Sequence, residues 1–590
     1  MIKNTLLTLI ILVCTILAKG NNTNYYVDAT NGNDSNNGTS PATAWKTISK
    51  VNDFSFSPGD SILFKRGEMW RGGIQPNSSG SPSSPITYAA YEEGEKPLFL
   101  GSVSLNDADD WTPLGSNLWN TSGIFPTDVG FILLGNEHVD NVAIKRFKHE
   151  EVDEDKEYWY DDDKQRVVLF CTQNPAITYP SIEAARGTSM FSHFFQGTGD
   201  YIHFVGLALK HWNTVAIAIV GNTGWEIRNC NMTYGGGSRF QSVYSDFYST
   251  TRYGCGVMVW LEAFDLVVDS CKFGYIYDDS LPPQSTGSNT ANIRNMYYTN
   301  NIIYRDGMAS MSHLFHDISE NNTIKNVHYK NNVCIGTGYS WSEDGRRDAN
   351  LFGFGLMLRV TLNSDVYVTD NVFYEPSAHC LAHFSPHDPV EMDRNYYYQE
   401  SGNMISVSDF DIGLWQKYDR GYGLDSLDIK NYKKSSRFYT MSEFSDYQKE
   451  TGFDANSVTG NMLAVKEAAR SKVSGRDLRL LNELFAQIDA EVDKVPAAFK
   501  LLYPEDGENV SNGKLILEWE DSSDPLGIAY YEVWIDESHV ANVTTSQYTT
   551  TAFSDGEHSW YVIAVNGKGR WTLASNTSTF TTPCGLKSDY

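Results

Sequence analysis

Three acidic residues stand at comparable positions after a short strand-like segment that recurs in the middle of the chain. They are Asp278, Asp306 and Glu343. If the segments stack as parallel strands, carboxylates on neighbouring coils lie about 5 Å or about 10 Å apart. These separations bracket those of retaining and inverting glycosidases, in which one carboxyl donates a proton and the other acts as base or nucleophile. We predict these three residues as catalytic groups, although 73 acidic residues also place acids in most loops.

A second set of candidate groups combines histidine and arginine near the ends of other strand-like segments. Its members are His313, His316, Arg359 and His383. In β-elimination a cation neutralises a uronate carboxylate while a base removes a proton from the sugar ring. His316 or His383 would be the base and Arg359 the neutralising cation. His313, Arg359 and His383 equally suit substrate binding by a hydrolase, or polar lining of a groove without catalysis.

The segment 339–348 is the densest functional candidate, because it combines aromatic, acidic and guanidinium side chains. Trp341 would offer a ring face to the C–H surface of a sugar, and Arg346 would pair with a carboxylate or sulfate group. Arg346 is also the second candidate for the cation of an elimination reaction. The alternative interpretation of the segment is a loop held together by Arg–Asp ion pairs.

The elements that must position these groups form an internal repeat of strand, polar pair and strand. Five such segments align on the polar positions Asn229, Ser270, Asn301, Asn332 and Asn371. Asparagine tolerates left-handed backbone, and its amide can hydrogen-bond the equivalent amide of the next coil, about 4.8 Å away. The repeat therefore predicts stacked coils with an amide ladder at one corner, and long loops between the coils.

The repeat and the opening residues resemble a known superfamily. The opening runs Tyr26-Val27-Asp28, then Gly32-Asn33-Asp34-Ser35, then Ala44-Trp45-Lys46-Thr47-Ile48. Together with Ser84-Pro85-Ile86-Thr87-Tyr88 and Ile276-Tyr277-Asp278, it is similar to secreted right-handed parallel β-helix proteins of the pectate-lyase-like superfamily. The resemblance covers roughly residues 24–460. It implies the fold and a carbohydrate-related activity, but lyases, hydrolases and epimerases share this scaffold.

The expected fold class is all-β, with four segments in order. Residues 1–20 have the basic start, apolar run and small residues of a signal peptide, which predicts a secreted, periplasmic or cell-surface protein. Residues 21–430 form the β-helix with an N-terminal cap, and the charged stretch 150–164 is interpreted as a hairpin insertion. Residues 431–495 form a helical cap or spacer. Residues 496–583 form an immunoglobulin-like sandwich that resembles a fibronectin type III module.

Composition excludes several functional classes. The formal charge of −27 disfavours nucleic-acid binding and docking on an anionic membrane, and beyond the leader no segment is apolar enough for membrane insertion. Eight scattered cysteines without a CxxC pair predict neither a disulfide framework nor structural zinc. No metal site or required cofactor is predicted, although Asp/Asn-rich turns offer oxygen ligands for Ca²⁺. A monomer is expected.

These observations predict a polysaccharide-degrading enzyme, with a glycoside hydrolase acting on an acidic polysaccharide as the preferred interpretation. A polysaccharide lyase that cleaves a uronate-containing glycan is the first alternative. The second alternative is a non-catalytic surface protein that binds glycan in the same groove.

Overall fold

The computed structural model describes most of the chain in several stretches. These are residues 22–187, 194–239, 252–285, 291–315, 323–342, 353–359, 364–384, 390–400, 402–408, 436–492, 496–511, 514–524, 527–536, 538–550, 553, 556–566, 571–576 and 578–582. The predicted signal peptide lies outside them. Within the described stretches, no helix combines the length and apolarity needed to cross a membrane.

Three long sheets, named A, B and C, are built from strands that follow one another around a coil. Sheet A has eleven strands. They are Asn24–Val27, Ser61–Lys65, Ile86–Tyr91, Ile202–Val205, Asn222–Thr223, Glu226–Arg228, Glu262–Asp269, Asn292–Thr299, Thr323–Lys330, Ser364–Thr369 and Val390–Asp393. Every pairing in this sheet is parallel.

Sheets B and C follow sheet A in each coil. Sheet B comprises Met69–Arg71, Leu98–Leu100, Ala208–Lys210, Asn231–Gly235, Lys272–Ile276, Ile302–Tyr304, Val333–Ile335, Val372–Tyr374, Tyr396–Tyr398 and Val458–Thr459. Sheet C comprises Ile217–Ile219, Val257–Trp260, Asp279–Leu281, Pro283–Ser285, Ala309–Phe315, Phe354–Arg359, His379–Phe384, Ile405–Ser408 and Ser436–Tyr439. All pairings in B are parallel, and in C only the last strand pairs antiparallel.

The coil interior is a continuous apolar core, because alternate residues of all three sheets point into it. Val268, Tyr298 and Tyr329 occupy equivalent positions on successive coils of sheet A and are fully buried. The predicted parallel β-helix is confirmed. Its last strand in sheet B ends at Thr459, beyond the predicted boundary at residue 430.

The predicted ladder lies at the corner between sheets A and B. Asn301 Nδ2 donates to Asn332 Oδ1 at 2.9 Å, and Asn332 Nδ2 donates to Asn371 Oδ1 at 3.0 Å. Asn371 Nδ2 donates in turn to Asn395 Oδ1 at 3.2 Å. Each of these oxygens also accepts the backbone N–H of the preceding coil. The amides are fully buried and continue one coil further than the sequence pattern indicated.

Two positions of the predicted ladder are wrong by one residue. Asp269 pairs with Thr299, so Cys271 and not Ser270 lies opposite Asn301. The thiols of Cys230 and Cys271 occupy the ladder in the first two coils, and the Cys271 N–H donates to Asn301 Oδ1 at 2.9 Å. Asn229 instead holds the left-handed turn position before the ladder, with φ of 51°. Asparagine tolerates left-handed backbone, so the sequence pattern did not distinguish this turn position from the ladder position that follows it.

The N-terminal end of the coil is closed by a short helix, α1 (Ile48–Asn52), after the 3₁₀ turn Pro41–Thr43. The Thr47 side chain caps α1 by accepting the Lys50 N–H at 3.1 Å. Trp45 is fully buried in the coil core beneath this cap. The apolar side of the predicted N-terminal cap therefore covers the first coil.

Residues 102–186 form an inserted module with its own apolar core, which the sequence did not indicate beyond a hairpin at 150–164. Its strands are Ser102–Ser104, Trp111–Gly115, Leu118–Thr121, Ile132–Leu134, Ile144–Arg146, Glu157–Asp161, Arg166–Phe170 and Ile182–Ala185. It also contains helix α2 (Pro175–Thr178) and the 3₁₀ turns Ala108–Asp110, Val139–Asn141 and His149–Glu151. The hairpin is one part of this module.

Three further helices are described near the C-terminal end of the coil. Helix α3 (Phe444–Thr451), which is preceded by the 3₁₀ turn Met441–Glu443, places Phe444 and Tyr447 in the coil core and closes the C-terminal end. Helices α4 (Met462–Ser471) and α5 (Gly475–Glu491) pack along the outer face of sheet B. Helix α5 turns one apolar side toward sheet B. Its buried residues are Leu481, Leu484, Phe485 and Ile488.

The ladder ends on a carboxylate. Asp454 Oδ1 accepts Asn395 Nδ2 at 3.0 Å and Ser457 Oγ at 2.6 Å, and Oδ2 accepts the Tyr447 hydroxyl at 2.9 Å. Burial raises the pKa of Asp454 above its usual range, and these hydrogen bonds act in the opposite direction.

The C-terminal residues from about 496 form two sheets that share a separate apolar core. The three-stranded sheet comprises Leu501–Tyr503, Ile516–Trp519 and Gln547–Thr549. The six-stranded sheet comprises Glu508–Asn509, Ile528–Ile535, Ser538–Val543, Gly556–Asn566, Trp571–Leu573 and Ser578–Thr582. Trp519 from one sheet and Trp560 from the other are both buried between them. This arrangement agrees with the predicted β-sandwich.

The ladder predicts a test of fold stability. Asn332→Ala should lower the free energy of unfolding by about 3 kcal/mol, since the buried Asn301 backbone N–H loses its acceptor and the Asn301 side-chain amide loses one of its two acceptors. Asn292→Ala, on the outer face of sheet A, should change it by about 0.5 kcal/mol or less. Chemical denaturation monitored by circular dichroism measures both values. Equal losses in the two variants would contradict the structural role of the ladder.

Candidate active site

The corner between sheets B and C carries two adjacent carboxylates on one turn. The strand Lys272–Ile276 ends there, and the next strand starts at Asp279. Asp278 and Asp279 therefore lie side by side at this corner, 6% and 1% exposed. We call residues 276–280 the acidic turn.

The coil before the acidic turn and the coil after it both hold Asp278 in place. Asp278 Oδ2 accepts the Gly254 N–H at 3.0 Å, and the Asp278 N–H donates to the Gly254 carbonyl at 2.9 Å. The Met308 N–H donates to the Asp278 carbonyl at 3.1 Å. Asp279 is bound by the following coil, since the Ser312 hydroxyl donates to Asp279 Oδ2 at 2.6 Å. Both carboxylates are thus oriented by backbone and hydroxyl groups from neighbouring coils.

Asp306 lies beneath the acidic turn and is fully buried. Its Oδ1 accepts the Ile276 N–H at 3.3 Å, and its Oδ2 accepts the Ser280 hydroxyl. Burial raises the pKa of Asp306 well above its usual range, and the nearby Asp279 carboxylate adds to the rise, while the two hydrogen bonds oppose it. A group without exposed surface cannot reach a saccharide. The prediction of Asp306 as a catalytic residue is therefore replaced by a positioning role.

Trp341 is placed next to the acidic turn but not as an open platform. Its indole N–H donates to the Tyr275 carbonyl at 2.7 Å, and its ring packs 5.4 Å from Tyr277 and 5.3 Å from Phe131 of the inserted module. The side chain is 8% exposed. Trp341 therefore joins the inserted module to the coil, and the predicted role in sugar stacking is not supported by this placement.

Two of the predicted histidines lie inside the coil. His313 Nδ1 lies 3.2 Å from the Tyr329 hydroxyl, and the ring has no exposed surface. Burial lowers the pKa of His313 to about 3, so the ring is neutral. His383 pairs in register with the core residue Leu358 and is also fully buried. The alternation of sheet C turns both side chains inward, and this placement does not support the predicted substrate-binding roles.

Arg359 ends a strand of sheet C and faces away from the coil interior. It lies in register between Leu314 and Phe384, two buried residues of a small apolar cluster, and is 5% exposed. The predicted contact of Arg359 with substrate stays a prediction. Three other predicted site residues fall outside the described residues: His316, Glu343 and Arg346.

Arg252 is a cation at this corner that the sequence did not single out. Its guanidinium lies 4.2 Å from the centre of the Tyr277 ring. It donates to the carbonyls of Gly237 and Gly130, at 2.7 and 3.0 Å, and is 1% exposed. Because Gly130 belongs to the inserted module, Arg252 ties that module to the acidic turn through Tyr277. Only long-range contacts reveal this role, and no local sequence signal marks it.

A buried ion cluster makes a second connection to the inserted module. Asp128 accepts from Lys145 Nζ at 2.7 Å and from the Arg239 N–H at 2.6 Å. Burial lowers the pKa of Lys145 to about 7, although Asp128 opposes this shift. Arg239 also pairs with Asp162 at 2.7 Å. These contacts fix the module against residues 236–239, next to the corner that carries the acidic turn.

Glu375 occupies the same corner three coils beyond the acidic turn. Burial raises the pKa of Glu375 to about 8, and the Glu400 N–H that donates to its Oε1 at 3.0 Å opposes the shift. In the described part of the chain, no group of three or more His, Cys, Asp or Glu side chains is arranged to hold a metal ion.

The raised pKa of Asp306 predicts a pH dependence of stability. The folded state keeps the proton that the unfolded chain releases near pH 4, so this stabilising contribution is complete below that pH and is lost as pH rises toward the folded pKa. Asp306→Asn should therefore weaken the fall of Tm between pH 5 and 8. Differential scanning fluorimetry measures the slope, with exposed Asp109→Asn as the control. An unchanged slope in Asp306→Asn would contradict the assignment.

Comparisons with known proteins give one sequence relative and several similar structures. No family profile matches the chain. A segment of 131 residues, 20% of this chain, is 30% identical to lacto-N-biosidase from Bifidobacterium longum subsp. longum. The match spans 8% of the length of that relative.

Two solved structures are similar in outline. The GH136 lacto-N-biosidase from Eubacterium ramulus is 13% identical with a TM-score of 0.38, covering 65% of this chain and 57% of that chain. Pectate lyase Pel9A is 15% identical with a TM-score of 0.36, covering 65% of this chain and 72% of that chain. The strand pairing itself establishes the parallel coil of this protein.

Proposed function

We propose that the protein is a carbohydrate-active enzyme, and specifically a glycoside hydrolase whose reacting carboxylate is Asp278. The observation that carries the proposal is the acidic turn, on which hydrogen bonds from neighbouring coils hold two adjacent carboxylates. Fixed carboxylates at the edge of a parallel coil match the chemical needs of glycoside hydrolysis. The sequence similarity to lacto-N-biosidase supports hydrolysis over elimination.

The reaction needs two carboxyl groups in different roles. A protonated carboxyl donates its proton to the leaving oxygen as the glycosidic C–O bond breaks, and a carboxylate attacks the anomeric carbon or activates water. Asp278 suits the carboxylate role, because its side chain is more exposed than those of Asp279 and Asp306 and it accepts the Gly254 N–H. Glu343, a catalytic group predicted from the sequence, is the proposed proton donor.

Asp306 supports this site from below. It binds both ends of the acidic turn, at Ile276 and Ser280, so its carboxyl fixes the direction in which Asp278 leaves the coil. The proposed substrate is a saccharide chain. An acidic polysaccharide would need a cation at the site, and Arg252 and Arg359 are both buried. Export of the enzyme, expected from residues 1–20, is part of the proposal.

Elimination is the alternative that product analysis tests directly. It would require a base and a neutralising cation. His383 lies inside the coil, which leaves the lyase hypothesis dependent on His316 and Arg346. Digestion of a glycan panel, followed by mass spectrometry, distinguishes the outcomes. New reducing ends without ultraviolet absorbance support hydrolysis, absorbance from unsaturated uronides would overturn it, and binding without products would indicate a glycan-binding protein.

Substitution of the acidic turn tests the residue assignment. Asp278→Asn should lower kcat by about 10² to 10⁴, because the amide cannot act as base or nucleophile. Asp306→Asn should reduce kcat less, since an amide oxygen still accepts the Ile276 N–H. Asp109→Asn, an exposed acid of the inserted module, should keep full activity. Full activity in Asp278→Asn, with wild-type Tm, would remove Asp278 from the site.

A further inference from the structure

The outer face of the six-stranded C-terminal sheet carries an aromatic strip. We use this name for Tyr530, Trp534, Tyr561 and Trp571. Trp571 is 58% exposed, and the other three are partly exposed. The residues between them in sequence, such as Tyr531 and Val562, point into the sandwich core. The strip is therefore a surface feature and not part of the core.

The rings of the strip fall into two rows. Trp534 pairs in register with Tyr561, and their rings are parallel within 9° with centroids 5.7 Å apart. Tyr530 and Trp571 both pair with Val565 and form the second row. The rows are four residues apart along a strand, which corresponds to about 14 Å. Two ring surfaces at this spacing suit contact with separate residues of one extended chain.

Polar groups accompany the rings and hold them in place. The Trp534 indole N–H donates to Glu532 Oε2 at 3.1 Å, so the ring is directed along its strand. The edge of the His539 ring packs 5.4 Å from Trp534, and His539 Nε2 bonds Asn542 Oδ1 at 2.6 Å. Hydrogen-bonding groups beside aromatic surfaces match a ligand with apolar C–H faces and hydroxyl edges.

The charge of the C-terminal β-sandwich, residues 496–582, indicates the ligand class. Residues 496–582 contain four basic and twelve acidic residues. This field repels nucleic acids, anionic membranes and uronate-rich or sulfated glycans. A neutral polysaccharide is not repelled by this field, and its hydroxyls can donate to the carboxylate of Glu532. Charge and aromatic geometry therefore point to the same ligand.

We propose that the aromatic strip is a binding site for a neutral polysaccharide chain, separate from the acidic turn. Trp534, Tyr561 and Trp571 contact the C–H faces of sugar residues, and Glu532 and Asn542 bind their hydroxyls. The site holds the enzyme on its polymer. It concerns binding and not bond cleavage, so it stands or falls independently of the catalytic proposal.

Affinity electrophoresis of the full chain tests the site. The gels contain xylan, hydroxyethylcellulose, galactomannan or polygalacturonate. The protein should be retarded by at least one of the three neutral polymers and not by polygalacturonate. The double variant Trp534→Ala/Trp571→Ala should weaken this binding at least tenfold. The matched control is Ile516→Ala, which removes a 43%-exposed apolar side chain from the three-stranded sheet and should leave binding unchanged.

Several outcomes would overturn the proposal. These are retardation by polygalacturonate alone, no retardation by any neutral polymer, and undiminished retardation of the double variant with wild-type Tm. Light scattering adds a measurement of the oligomeric state. If the wild-type chain dimerises and the double variant does not, the strip is an interface between copies of this chain.

Discussion

The fold depends on buried amide groups that satisfy one another across coils. Each ladder asparagine donates to the next side-chain oxygen and to a backbone carbonyl of the preceding coil. Asn332, Asn371 and Asn395 each accept from two donors of the preceding coil. A buried amide group that loses its hydrogen-bond partner costs free energy in an apolar interior. The coils are therefore held in the stacking register that pairs all of these groups. Residues in left-handed backbone precede each ladder position and turn the chain into sheet B. The corner thus fixes both the spacing and the direction of the coils.

That register explains why the acidic turn has a defined geometry. Gly254 lies in the coil before the acidic turn, whereas Asp306 and Ser312 lie in the coil after it, so these three supports meet only because the coils are in register. The inserted module then packs on the same corner through Arg252 and Trp341. A large insertion can therefore define the surroundings of a site that the coil itself positions.

The sequence predicted the coil because asparagine has a recognisable role at a buried corner, and Asn301, Asn332 and Asn371 occupy it. It misplaced the first two positions because a thiol that fills the same space carries no amide signal. The inward orientation of His313 and His383 could not be predicted, because a strand that is buried on both faces does not show by alternation which face a polar residue takes. The corner position of Asp278 could be predicted from its loop, whereas the positions of Arg252 and the inserted module depend on long-range packing.

The carboxylate at the end of the ladder has a consequence for the size of the molecule. Every amide in the row both gives and receives a hydrogen bond, so the row has a polarity and could in principle continue. The Asp454 carboxyl accepts from Asn395, Tyr447 and Ser457. A carboxyl group lacks the NH2 group with which each asparagine binds its neighbour, so the row of amides stops at this residue. Because Tyr447 belongs to the helix that closes the C-terminal end, the end of the row and the end of the coil coincide.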